Sequence, residues 1–177
     1  YPDYQNIVFL DNTLSEINRL NLEQMGFWDI QGVAVSRDNN IWIHDPINNR
    51  LLKVNTAGNI QFSSNELFHN KDDDTSNPQV FEFDDRVFLF NQSSIKEYDN
   101  FGQLIKTYAV KNQGIQFNDA SFYYLDQDKI FRSSYQLHFN IKDQIQELFS
   151  GSQIRDFVVD RESIFIIDAK GVLHIKR

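Results

Sequence analysis

The stretch IWIHDPINNRLLKVNTAGNIQ, residues 41–61, sets three short apolar runs around two turn signals. Ile41 and Ile43 alternate with Trp42 and His44, the period of two that marks a strand whose side chains point to opposite faces. Asp45, Asn48, Asn49 and Arg50 could gather round a ligand, or they could be the connection between two strands. Asn55-Thr56-Ala57-Gly58 reads as a tight hairpin turn, because Asn and Gly tolerate the left-handed backbone that such turns need.

The same device recurs along the chain. SIKEYDNFGQLIKTY (94–108) turns at Asp99 to Gly102, NIVFLDNTLSEINRL (6–20) turns at Asp11 to Leu14, and QLHFNIKDQIQELFS (136–150) is a more degenerate copy. Equivalent points at Ser15, Gly58, Gly102 and Gln144 are spaced by about 43, 44 and 42 residues, within the roughly 40–50 of a propeller blade. Two further strand candidates precede each hairpin, joined at Arg37–Asn40, Asp84-Asp85, Asp126–Asp128 and Asp160–Glu162. Four short strands per unit describe a blade. The expected fold is therefore all-β: a β-propeller of four-stranded antiparallel blades, forming one domain over residues 1–177. The blade segments are expected at about 1–24, 31–65, 78–110, 114–150 and 152–177. A competing helical stripe over residues 14–28 (Leu14, Ile17, Leu20, Leu22) conflicts with the register of the other turns, and a short helical turn around Leu22 to Gly26 is its residue.

Strand counting gives a chain that opens on the third strand of a unit and stops after the third strand of another. Residues 172–176 and 7–10 both claim the third position if the ends close one blade. That surplus points to an incomplete or truncated ring of four to six blades with upstream residues missing. The opening Tyr1-Pro2-Asp3-Tyr4, without Met or signal peptide, fits a removed leader or a piece of a longer chain.

Composition narrows function by exclusion. The 177 residues are 41% hydrophobic and 14% aromatic, with 16 Phe against 7 Gly and 3 Pro, which suits pleated, half-buried surfaces. A net charge of −8 and a pI near 4.9, without a basic stripe, disfavour nucleic acid. No apolar run approaches the roughly 20 residues that span a bilayer as a helix. The absence of Cys removes disulfides, thiolate metal sites and a thiol nucleophile.

The opening stretch resembles the NHL family of propeller repeats, which share a hydrophobic strand ending in Asp, an Asn-Asn-Arg loop, an apolar strand and a turn ending in Gly. IWIHDPINNRLLKVNTAG carries the whole pattern; VFLFNQSSIKEYDNFG has lost Asn-Asn-Arg, and IFIIDAKGVLHIKR keeps Asp168 alone. In style the chain is similar to short NHL-like propellers of Gram-negative envelopes, commonly lipoproteins or signal-peptide-bearing. That resemblance implies a periplasmic or outer-membrane-associated subunit of an assembly such as the type 9 secretion translocon, concerned with protein transport.

Candidate chemistry is sparse. Asp45 and Asp168 end equivalent strands and could bind a cation, or could fix their own turns by accepting loop N–H groups. His44, His69, His138 and His174 show no ligand spacing, and His44 and Asp45 point to opposite faces. HNKDDDTSNPQ (69–79) with Asp72, Asp73 and Asp74 lacks the pattern of an EF-hand and reads as a solvated loop or a partner-binding segment. No phosphate loop, nucleophile elbow or His-Glu-x-x-His is present.

The leading reading is a non-catalytic protein–protein interaction scaffold without cofactor or metal, in a multi-subunit complex. Its expected contact surface comprises Phe27, Trp28, Phe68, Asp72, Asp73, Asp74 and Phe101. The alternative is a lactonase-like propeller hydrolase with a divalent cation held by Asp45, Asn91 and Asp168. Carbohydrate binding through Trp28 and Trp42 is a third class.

Overall fold

The structure is a computed structural model, described here for residues 5–67, 78–110, 114–118, 120–135, 145–150 and 153–176. Every regular element among these is a strand. Strands β1 (Asn6–Leu10) and β2 (Glu16–Asn21) form a hairpin. Strands β3 (Gly32–Val35), β4 (Ile41–Asp45), β5 (Arg50–Val54) and β6 (Ile60–Ser63) form a four-stranded antiparallel blade. A second blade comprises β7 (Gln79–Phe83), β8 (Arg86–Phe90), β9 (Ser94–Asp99) and β10 (Leu104–Ala109), and a third β11 (Gly114–Asn118), β12 (Ser121–Asp126), β13 (Lys129–Ser134) and β14 (Ile145–Ser150). Strands β15 (Asp156–Val159), β16 (Ser163–Asp168) and β17 (Gly171–Lys176) make a three-stranded sheet. Each sheet is a meander in sequence order, its neighbouring strands antiparallel. Residues 14–28 hold no helix: β2 occupies the first half, and the second is a compact turn closed by Met25 N–H to Leu22 O (3.1 Å) and Gly26 N–H to Glu23 O (2.9 Å).

The hairpin between the third and fourth strands is built the same way three times, at 44-residue intervals. The side-chain oxygen of Asp11, Asn55 or Asp99 accepts the N–H groups two and four residues on, at 2.8–3.0 Å. Its own backbone N–H donates to the fifth residue's carbonyl, and the fourth residue's N–H returns to its carbonyl. The fourth residue is left-handed in each copy: Leu14 (φ 63°), Gly58 (φ 83°) and Gly102 (φ 73°). An Asx side chain at the first position and a left-handed residue at the fourth are thus the two requirements of the motif. Gly102 answers a second demand, since a Cβ there would lie 2.3 Å from Ser64 Cβ.

Residues 1–91 with 95–107 make one compact unit, and 92–94 with 108–177 another. In the first, Ile41, Ile43, Leu52 and Val54 pack with Leu20, Leu22, Phe27 and Ile30. On the opposite face of the same blade, Trp42 and Leu51 pack with Val80, Val87, Leu89 and Tyr98. Alternation along β4 therefore serves two cores at once, which is why all five of its residues are buried. In the second unit, Tyr123, Leu125 and Ile130 pack against Phe157, Val159, Ile164 and Ile166. Side-chain amides clamp neighbouring sheets: Gln5 to the backbone of Ile30 in the first unit, and Gln116 and Asn118 of β11 to the backbone of Phe157 and Val159 in the second.

Candidate functional site

A group of charged side chains lies where β7 meets the β3–β4 turn. Glu82 stands on β7 between Phe81 and Phe83, and its side chain is 5% exposed. Trp42 Nε1–H and the Ser36 hydroxyl donate to Oε2, the latter at 2.5 Å, while Arg37 N–H donates to Oε1 at 3.1 Å. Lys53 Nζ lies 4.0 Å from Oε2, 4.7 Å above the Trp42 ring and 2.9 Å from Asp38 Oδ2. Burial raises the Asp38 carboxyl, and the bonds from Lys53 and Asn40 overcome it, so the group is held below the usual carboxylate range. A buried carboxylate is costly unless its oxygens are satisfied, and Glu82 meets that condition with donors from the neighbouring blade. Beside it, Val35, Ser36, Arg37, Glu82, Phe83 and Asp84 line an open cleft of about 360 Å³.

Sequence reading passed over Glu82. Its one signal was a lone carboxylate inside an aromatic-rich strand, which local periodicity does not distinguish from a solvent-facing position.

Asp45 and Asp168 serve their own turns. Asp45 accepts from Asn48 N–H (3.1 Å) and Asn48 Nδ2 (2.8 Å), and pairs with Arg50 Nε at 3.0 Å. Burial pushes its carboxyl up, but Asn48 and Arg50 together hold it below its ordinary value. Asp168 accepts the N–H groups of Lys170 (2.6 Å) and Gly171 (3.0 Å). Asn49 is left-handed (φ 48°) and clamps Leu67 through its side chain (2.8 Å) and its carbonyl (2.7 Å). The loop that resembled a ligand cluster is a set of strand-connecting bonds. Among the described residues no three or more His, Asp or Glu side chains gather as a metal site. Burial and the charge of Asp126 push the Tyr124 phenol up to about 12, which keeps it neutral over the physiological range.

Of the expected contact residues, Phe27 is placed differently: it is 4% exposed and packed among Leu22, Ile30 and Ile41, because the turn after β2 folds it inward. Its neighbour Trp28 is 54% exposed, and Phe101, at the tip of the β9–β10 hairpin, is 71% exposed. Trp42, an alternative carbohydrate contact, is buried under Glu82 and Lys53. Phe68, His69, Asp72, Asp73, Asp74 and His138 lie outside the described residues, as does the side chain of His174.

No family model matches the sequence, and no curated protein matches it. Solved structures do match along nearly the whole chain. Virginiamycin B lyase from Staphylococcus aureus is similar at 15% identity over 99% of this chain and 64% of its own, with a TM-score of 0.55. A protein of unknown function from Bacteroides caccae gives 13%, 98%, 72% and 0.60 by the same measures, and Kluyveromyces lactis Hsv2 gives 11%, 98%, 55% and 0.67. The chain thus spans less than two thirds of the lyase's length. These structures are propeller-like. At such identities the likeness defines the fold alone, an all-β chain of β-propeller class built from four-stranded antiparallel blades.

Proposed function

We propose that the protein is a non-catalytic protein–protein interaction scaffold. One observation carries this reading: the buried and turn-ending acids are committed within the chain, whereas large apolar side chains stand in solvent on its turns and loops. Glu82, Asp45 and Asp168 each accept two or more internal hydrogen bonds, while Trp28, Phe101, Leu14 and Ile47 are all more than half exposed. Exposed aromatic anchors on a rigid β framework are what protein recognition uses.

The finer form of the proposal is an accessory subunit of a cell-envelope or outer-membrane assembly, of the kind the type 9 secretion translocon represents. Its support is the resemblance of residues 41–58 to NHL-type repeats of envelope propellers. The catalytic alternative needs Asp45 and Asp168 to turn from their own loops to a cation, at the expense of the bonds that shape those loops.

Native isolation of the tagged protein at its normal abundance, followed by mass spectrometry and membrane fractionation, tests the reading. A stoichiometric protein should co-purify with the wild type and be lost with Trp28→Ala/Phe101→Ala. Identical recovery with that variant, or a lone protein throughout, removes the scaffold reading. Saturable calcium binding abolished by Asp45→Asn would favour the enzyme.

A further inference from the structure

The cleft beside Glu82 lies between two pinned connections of the first unit. On one side the β3–β4 turn is closed by Ser36 N–H to Asn40 O (2.8 Å) and Asn39 N–H to Ser36 O (3.0 Å). Glu82 holds that turn from the next blade, through the Ser36 hydroxyl and the Arg37 N–H. On the other side Asp84 and Asp85 are a two-residue connection between the paired Phe83 and Arg86, both left-handed at φ 50° and 58°. Such a hairpin matches the twist of its strands, so β7 and β8 fix the backbone of Asp84.

Neighbouring charge is matched within the chain. Glu82 has its three donors, Lys53 lies 2.9 Å from Asp38, and Arg86 lies 3.6 Å from Glu97. The Arg37 guanidinium and the Asp84 carboxylate differ: both line the cleft, and neither bonds or pairs with any described residue, including the other. One charge of each sign thus stands uncommitted in a single cleft. Between them Phe83 and the Val35 side chain, 76% exposed, supply apolar lining. At about 360 Å³ the cleft is at the small end of the roughly 300–1,000 Å³ of ligand sites.

We propose that this cleft binds a free apolar α-amino acid as its zwitterion. The carboxylate pairs with Arg37, the ammonium with Asp84, and the side chain lies on Val35 and Phe83. A simple carboxylic acid would bring its anion near Asp84, and a simple amine would bring its cation near Arg37; a zwitterion satisfies both groups. Both charges are exposed, so each pair competes with water and the affinity expected is in the millimolar range. The inference is independent of the hairpin-tip surface proposed above, and Trp28→Ala/Phe101→Ala should leave this binding unchanged.

Amide NMR titration of the intact chain with L-leucine reads both affinity and place. Saturable shifts are expected at residues 35–37 and 82–84. Leucinamide, which lacks the carboxylate, and 4-methylpentanoate, which lacks the ammonium, should each bind about three- to tenfold more weakly. Arg37→Ala keeps the backbone bond to Glu82 and should abolish the difference between leucine and leucinamide. Asp84→Asn keeps a residue that tolerates the left-handed backbone and should abolish the difference between leucine and 4-methylpentanoate. No saturable shift up to about 20 mM leucine, beyond the range of weak specific binding, overturns the proposal. So do saturable shifts confined to other residues, or ligand preferences that both variants leave intact.

Discussion

Trp42 of β4 donates its indole N–H to the carboxylate of Glu82 on β7, 40 residues along the chain and on the neighbouring blade. Neither group has an easy alternative: the indole ring is 1% exposed, and the carboxylate also carries Ser36 and Arg37. Glu82→Ala would leave the indole N–H buried and unsatisfied, at a cost of about 1–3 kcal/mol. Urea unfolding followed by tryptophan fluorescence should show the loss. Glu82→Gln, which keeps an acceptor oxygen, should lose less, and an equal loss from both would assign the effect to charge.

The left-handed hairpin position predicts an ordered series. Leu14 adopts φ 63° with a side chain that gains nothing from it, being 79% exposed. Leu14→Gly should therefore stabilise by up to about 1 kcal/mol, the released strain exceeding the added chain entropy. Gly58→Ala meets the backbone penalty of about 1–2 kcal/mol, its Cβ lying at an ordinary 3.4 Å from Leu20 and Met25. Gly102→Ala should be worse than Gly58→Ala, because Ser64 must also move. Melting temperatures of the three variants check the order.

Asp45 and Tyr124 tie stability to pH at opposite ends of the range. The Asp45 carboxyl is held below its ordinary value of 3.8 in the folded chain, so its contribution is present above that value. The contribution is lost as pH falls from 3.8 through the lower folded value. Asp45→Asn should flatten this acid limb of the stability curve. Tyr124 is raised to about 12 from 10.0, so the folded state resists losing the phenolic proton. Stability should fall as pH rises from 10.0 to about 12, and Tyr124→Phe should remove that part of the alkaline decline.

Adjacent aromatic residues should behave oppositely. Phe27→Ala empties a core position and should cost about 3–5 kcal/mol. Trp28→Ala and Phe101→Ala touch exposed rings and should change stability by no more than about 0.5 kcal/mol. Denaturant midpoints settle the contrast before any binding experiment is attempted.

That contrast also marks how far sequence reasoning reached. Blade order, strand count and the turns at Asp11, Asn55 and Asp99 were legible, because each follows from local chemistry repeated at a fixed interval. The commitment of Asp45 to its own loop was legible as one of two readings, since an Asx residue before a turn has donors within a few residues. Phe27 and Trp28 could not be told apart, because the turn from Leu22 to Gly26 interrupts the period that would assign their faces. Glu82 was missed for a related reason: its donors arrive from residues 36, 37 and 42, and nothing within β7 records them.

The repeated hairpin has a bearing on how such a surface can change. Its geometry is specified at the first and fourth positions, and the bonds common to all three copies use only the backbone of the second and third (Asn12-Thr13, Thr56-Ala57, Asn100-Phe101), the Thr13 hydroxyl adding one bond of its own to Asp11. Each tip is therefore a two-letter cassette whose spelling can drift while the framework stays constant. Specificity can diversify at one cassette without disturbing the others, and the tolerance for new spellings is widest where the fourth residue is glycine.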